Sequence, residues 1–379
     1  MSTEALQDVW TVRRVLLWTQ QWFAKAGLGS PRLDAEVLLA HCLGTSRVGL
    51  YTSFEQPLSD SELAQFRALI KRRLAGEPVA YLTGQREFYS LPLHVTPAVL
   101  IPRPETELLV EEALRFLGGS QDARAKAGEP VERAAAEAEI AEEEAVEEAV
   151  AQTQAVPGVA LTVVYDPEPS AADSPADSST DSSAAPPVVT LAAASSPDSL
   201  PAGVSKTVID IGTGSGAIAL AIKHERPSVR VIAIDLSPDA LAVARHNATT
   251  LGLTIEFREG DLLTALPEDI APDLVLANLP YIPTAEIAGL SKDVQSEPRL
   301  ALDGGADGLA IVKRLVAMAA QRLRPGGAIL LEIGAGQAGA TEQLLRQAGF
   351  SGVHSLRDYA GIERLVSGRL AAPANRRSP

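Results

Sequence analysis

The chain has 379 residues, 46 % of them apolar and 21 % charged, and carries a formal net charge of −15. That length suits about two domains. The charge is concentrated, because residues 118–204 hold 16 acidic and 3 basic side chains and leave only −2 for everything else, and the lack of a basic block argues against nucleic acid as the main partner.

The first ten residues, MSTEALQDVW, lack the charged start and apolar core of a signal peptide. No uninterrupted apolar run approaches the roughly 18 to 20 residues that span a bilayer, so a cytoplasmic protein without membrane contact is expected. Residues 1–85 read as a small helical domain. TVRRVLLWTQQWFAKAG places Val15, Leu16, Trp18, Trp22 and Phe23 at helical spacings, and the tryptophans are expected in its core. SPRLDAEVLLAHCLG opens with Ser30 as N-cap and Pro31 at the first helical position. Its Cys42 is the only cysteine, which excludes an internal disulfide and a multi-cysteine metal site and fits a reducing compartment; no metal is expected. In SDSELAQFRALIKRRLAG, Ser59 followed by Glu62 is a capping-box pattern. Residues 86–117 read as a hairpin around Pro92 and Pro97 and a connecting helix that restarts at Pro104, Glu105 and Glu107.

Residues 118–204 change character. ERAAAEAEIAEEEAVEEAVAQ is Ala/Glu-rich, and DPEPSAADSPADSSTDSSAAPP has too few large apolar residues to offset the entropy of ordering. An acidic low-complexity insertion, mostly disordered, is expected there. From 205 to 370 short apolar runs (TVIDIG, RVIAIDLS, IEFREGD, DLVLANLP, AILLEIG) alternate with amphipathic helical stretches. That alternation implies a parallel sheet with helices on both faces and a ligand crevice at the carboxyl ends of the strands. Residues 371–379 read as a flexible tail.

Four constellations fall at strand ends. In VIDIGTGSGAIAL, Asp210 ends a strand and Gly212, Thr213, Gly214, Ser215 and Gly216 turn into a helix. Glycines there let backbone amides approach a ligand, and the helix dipole adds a favourable field. Ala217 stands where a dinucleotide fingerprint wants its last glycine. Asp235 ends the next strand, where it can accept both hydroxyls of a ribose or cap the following helix; beside the glycine turn the ribose role is favoured. Asp261 and Leu262 in FREGDLL suit an adenine edge and face, with a plain helix cap as the alternative for Asp261. Last, VLANLPYIP puts Asn278 and Tyr281 at the mouth of an apolar strand. An amide nitrogen is a poor nucleophile, since its lone pair is delocalised. Methylating it needs acceptors that hold both N–H bonds and aim the lone pair at the methyl carbon. The Asn278 side-chain oxygen with the Leu279 or Pro280 carbonyl can provide them, and Tyr281 can cover the planar group.

Together, PVAYLTGQREFYSLPLHVTPAVLIPRPETELLVE, DIGTGSGAIALA, ANLPYIP, EPRLALDGGADGL and DYAGIERLV resemble the HemK/PrmC family of release-factor glutamine methyltransferases, over roughly residues 1–117 and 205–370. The resemblance implies an α/β, Rossmann-like S-adenosylmethionine-dependent methyltransferase domain preceded by a small N-terminal helical bundle that helps to bind the release factor. It implies S-adenosylmethionine as donor, held by Asp210, the Gly212–Gly216 loop, Asp235, Asp261, Leu262 and Asn278. The acceptor is the glutamine in the Gly-Gly-Gln loop of class 1 peptide chain release factors, gripped by Asn278, Leu279, Pro280 and Tyr281, with Arg103, Glu105, Glu107 and Glu297 near its pocket. A monomer with no direct nucleic-acid partner is expected. Leu279 departs from the family's Asn-Pro-Pro-Tyr tetrad, and the acidic insertion departs from its short interdomain linker. Two other readings compete: an amino methyltransferase acting on adenine or guanine, disfavoured by the near-neutral core, and a cofactor-binding scaffold without catalysis.

Overall fold

The computed structural model describes residues 9–118 and 206–371. The expectations for the acidic insertion and for the C-terminal tail therefore fall almost entirely outside the described residues.

The N-terminal part is built from α1 (Val12–Lys25), α2 (Pro31–Leu43), α3 (Arg47–Thr52), α4 (Asp60–Leu74) and α5 (Val79–Thr83). Ser59 and Glu62 form the reciprocal capping box at the start of α4, whereas Ser30 caps α2 by position with no side-chain hydrogen bond. The stripe Val12, Val15, Leu16, Thr19 and Phe23 of α1 is buried against Leu38, Leu39, Phe66 and Ile70. This stripe overturns the expected place of two tryptophans: Trp18 is 39 % and Trp22 40 % exposed. Positions 12, 15, 16, 19 and 23 already fill one face of the helix, so 18 and 22 turn to the neighbouring face and stack edge to face, with ring centroids 4.7 Å apart.

A short antiparallel hairpin follows, β1 (Gln85–Phe88) with β2 (Leu91–His94). Tyr89 and Ser90 turn it with φ of 50° and 59°, the left-handed pair that matches strand twist in a two-residue hairpin. A 3₁₀ turn, Pro104–Thr106, leads into α6 (Glu107–Phe116).

The larger part alternates β3 (Thr207–Ile211), α7 (Ala217–Glu225), β4 (Arg230–Asp235), α8 (Pro238–Leu251), β5 (Glu256–Glu259) and β6 (Leu274–Asn278). After β6 come two single-turn helices, α9 (Lys292–Gln295) and α10 (Arg299–Leu302), then α11 (Ala310–Arg322), β7 (Ala328–Glu332), α12 (Ala338–Gln347), β8 (Phe350–Arg357) and β9 (Glu363–Leu370). The strands join in the order β5-β4-β3-β6-β7-β9-β8. The first five are parallel, as expected. The two last are antiparallel additions, β9 on β7 and β8 on β9, which the apolar-run pattern does not reveal.

Successive residues of each central strand serve opposite faces. Val208, Leu274, Leu276 and Leu330 pack under α6 and α7, while Ile209, Ile211, Val275 and Ile329 pack against α11. α6 thus covers the sheet although the acidic segment separates it in sequence from the strands. The strand order reverses at β3, between β4 and β6, and a crevice is expected at such a switch point. Among the described residues no helix is long and apolar enough to cross a membrane.

Candidate active site

A cavity of about 350 Å³ opens at the carboxyl ends of β3, β4 and β6. The loop after β3 forms one wall, and Gly212, Thr213, Gly214 and Ser215 all line it. Gly212 and Gly214 have φ of 69° and 55°, a region that side chains resist. Gly216 does not line the cavity; a Cβ there would press on Leu220 Cδ1 at 3.1 Å and Ala244 Cβ at 3.2 Å, so its smallness lets α7 pack against α8. Asp210 lies beneath the loop, fully buried. Its Oδ2 accepts from Thr213 Oγ1 at 2.6 Å and from the Ala219 amide at 3.2 Å, while Oδ1 meets no partner. Burial drives this carboxyl up to about 7, opposed by those two hydrogen bonds.

Asp235 lines the opposite side and joins the two walls. Its Oδ2 accepts from the Gly214 amide at 2.8 Å and its Oδ1 from the Ser237 amide at 2.9 Å. The N-cap of α8 is Ser237, whose hydroxyl accepts from Ala240, so the helix-cap alternative for Asp235 does not hold. Burial raises the Asp235 pKa, and the backbone donors counter it. Asp261 and Leu262 line the far end, with Leu262 in a left-handed conformation at φ 53°. Asp261 is ion-paired with Arg314 of α11, which also lines the cavity, and its side chain makes no capping bond.

Asn278, Leu279 and Pro280 reach the same cavity from the end of β6. Asn278 Nδ2 donates to Thr106 Oγ1 at 3.2 Å, which leaves its Oδ1 as an acceptor. Leu279 is buried, its Cδ2 against Gly212. Tyr281 stands behind the lining: its carbonyl accepts from Gln337 Nε2 at 2.9 Å, and burial, helped by the charge of Glu332, pushes its phenol up to about 12. Arg103 lines the cavity and is ion-paired with the buried Glu297. Glu297 Oε2 also accepts from the Ile101 amide at 3.2 Å; burial raises its pKa and Arg103 opposes the rise. The structure does not bring Glu105 or Glu107 to the cavity wall, and Glu107 instead accepts from the Tyr89 amide at 2.9 Å.

Several participants escape sequence reasoning. Thr106 and Arg314 line the cavity from elements remote in sequence. Gly304 and Gly308 back the tetrad: a Cβ on Gly304 would meet the Pro280 carbonyl at 2.7 Å, and one on Gly308 the Tyr281 carbonyl at 2.2 Å. The repeated glycines of DGGADGL were the available signal.

Residues 14–84 match the PrmC N-terminal domain, and residues 203–332 match a methyltransferase domain. A release factor glutamine methyltransferase of Geobacter sulfurreducens is 35 % identical over 364 residues, covering 96 % of this chain and 98 % of the relative. Those of Moorella thermoacetica and Bordetella pertussis are 37 % and 38 % identical, over 93 % and 90 % of this chain and 96 % of each relative. With near-complete coverage in both directions, the chain belongs to the release factor glutamine methyltransferase family.

Proposed function

We propose that the chain transfers a methyl group from S-adenosylmethionine to the side-chain amide nitrogen of the glutamine in the Gly-Gly-Gln loop of class 1 peptide chain release factors, as a cytoplasmic monomer without a nucleic-acid partner. The observation that carries this reading is the convergence of Asn278, Asp235 and the Gly212–Ser215 loop on one cavity, in a chain of this family. The cavity is of a size suited to a small-molecule site. Its glycine wall leaves backbone amides within reach, and Asp235 presents a carboxylate already fixed by two backbone donors. The residues therefore fit S-adenosylmethionine, with the Gly212–Ser215 backbone against its amino-acid part, Asp235 on the ribose, and Asp261 with Leu262 at the adenine. Bound there, it supplies a methyl group on a sulfonium centre.

The protein's own contribution is positioning. Asn278 Oδ1 accepts one N–H of the acceptor amide, and the Leu279 or Pro280 carbonyl accepts the other. Two fixed acceptors hold the amide plane so that its nitrogen lone pair faces the cavity. The methylated nitrogen is strongly acidic and loses its proton to water, so no base of unusual pKa is needed. The helical N-terminal part grips the body of the release factor.

The test is methyl transfer from radiolabelled S-adenosylmethionine to a release factor, to its loop Gln→Ala variant, and to duplex and single-stranded nucleic acid. Label is expected on the first alone, and Asn278→Ala should abolish it while cofactor affinity stays within a few fold, because the Gly212–Ser215 loop and Asp235 still hold the donor. Label on nucleic acid, or equal label on the Gln→Ala variant, would refute the proposal.

A further inference from the structure

Glu332 ends β7 beside Asn278, its register partner in the parallel ladder. It is 3 % exposed, and neither carboxyl oxygen has a hydrogen-bond partner. A buried carboxyl without a partner is costly, and its position behind the tetrad points to a use. The groups facing it are Thr106, Glu105 and Arg103 from the 3₁₀ turn and its approach, Tyr281 from the loop after β6, and Arg364 from β9. Neither cation is free to neutralise it, since Arg103 pairs with Glu297 and Arg364 with Asp358. Burial pushes Glu332 up to about 7; the Thr106 hydroxyl and both arginines work against the rise, and Glu105 works with it. Thr106 is hydrogen-bonded to Asn278, the register partner of Glu332, which sets its hydroxyl on the side of this carboxyl, though no hydrogen bond joins the two in this structure.

Thr106 Oγ1 already accepts from Asn278 Nδ2, and a hydroxyl that accepts there still has a proton to donate elsewhere. The carboxyl of Glu332 is the strong acceptor nearby. We infer that Glu332 is a positioning residue: it receives the Thr106 hydroxyl proton and so orders the chain Asn278 Nδ2–H to Thr106 O–H to Glu332, which fixes the Asn278 amide with its oxygen toward the acceptor glutamine. This deepens the proposed methyl transfer and rests on it. The direction of the chain depends on a true acceptor at its end. Once protonated, Glu332 can donate back to Thr106, and the order of the chain is lost. Wild-type kcat accordingly rises as pH increases through about 7 and levels off above it, where the carboxylate is ionised.

The experiment uses the full chain with labelled S-adenosylmethionine and a release factor, comparing wild type, Glu332→Gln and Glu332→Leu from pH 6 to 9. Glu332→Leu removes the acceptor and should lower kcat about 100-fold, with KM for the release factor and cofactor affinity within about threefold, the size of loss that small misplacements cause. Glu332→Gln keeps a carbonyl acceptor; it should recover most of kcat and lose the part of the inflection near pH 7 that the Asp210 carboxyl does not supply. Should Glu332→Leu fail to fold, Thr106→Val interrupts the same chain and takes its place, with Thr106→Ser as the restoring partner. Wild-type kcat in the leucine variant, or equal losses in both Glu332 variants, would each overturn the inference while leaving the transfer reading intact. No transfer by the wild-type chain would sink the transfer reading, and the inference with it.

Discussion

Gly212 and Leu279 meet at the floor of the cavity, where a Cβ on the glycine would lie 3.2 Å from Leu279 Cδ2. The contact explains how a leucine can stand where the family has a proline. A proline would hold the tetrad backbone by its ring, whereas Leu279 holds it by burial, only 5 % exposed among Ile209, Ile211 and other apolar side chains. Truncation at this site removes that packing, so Leu279→Ala should cost about 2 to 3 kcal/mol in urea unfolding and lower kcat more than cofactor affinity. A variant as stable as wild type would show that the backbone is fixed by something else. Asp235 was legible as a cavity residue because it ends an apolar strand 25 positions after Asp210. Thr106 and Glu332 were not, because a threonine in a turn and a glutamate ending a strand look like ordinary capping and surface residues until folding sets both beside Asn278.

At the scale of elements, the central strands were readable because each is an apolar run closed by glycine, proline or a polar turn. β8 and β9 were not. FSGVHSLR mixes exposed and half-buried positions, and both strands become strands only through pairing with each other and with β7. The glycines after α10 show a similar dependence on tertiary context. Gly308 has φ 72°, and a Cβ there would stand 2.2 Å from the Tyr281 carbonyl and 2.5 Å from Gln337 Nε2. There is no room for even one methyl group. Gly308→Ala must therefore push Tyr281 away from Gln337 and tilt the tetrad, with an expected loss of about 100-fold or more in transfer. Cofactor binding, measured by calorimetry, should change only a few fold, because the Gly212 loop and Asp235 lie on other strands. A Gly308→Ala enzyme with wild-type turnover would show that the tetrad tolerates the shift.

At the scale of the whole molecule, the helical N-terminal part is tied to the segment that carries Glu297. Arg73 of α4 pairs with Asp34 at 2.7 Å and reaches Asp293 of α9 at 3.4 Å, and Ser296 donates to the Gly76 carbonyl. The rim of the cavity at Pro298 is thereby braced from both parts of the described chain. The acidic segment bears on this arrangement through its ends. Lys206, at the start of the described second stretch, donates to the Phe116 carbonyl at 2.9 Å and lies over the Phe116 ring, so the first described stretch ends and the second begins at neighbouring points. A short connection can bridge them. The entropy of closing a connection grows only with the logarithm of its length, so replacing residues 119–205 by about ten glycine and serine residues should stabilise the fold by at most about 2 kcal/mol. The shortened chain should bind S-adenosylmethionine and methylate a release factor at rates within about threefold of wild type, since the Gly212–Ser215 loop, Asp235 and Asn278 to Pro280, which line the cavity, all lie outside that segment. Matched kinetics and thermal unfolding of the two chains decide the matter. A shortened chain that unfolds at lower temperature, or that loses turnover with an intact fold, would show that the acidic segment takes part in folding or in substrate handling.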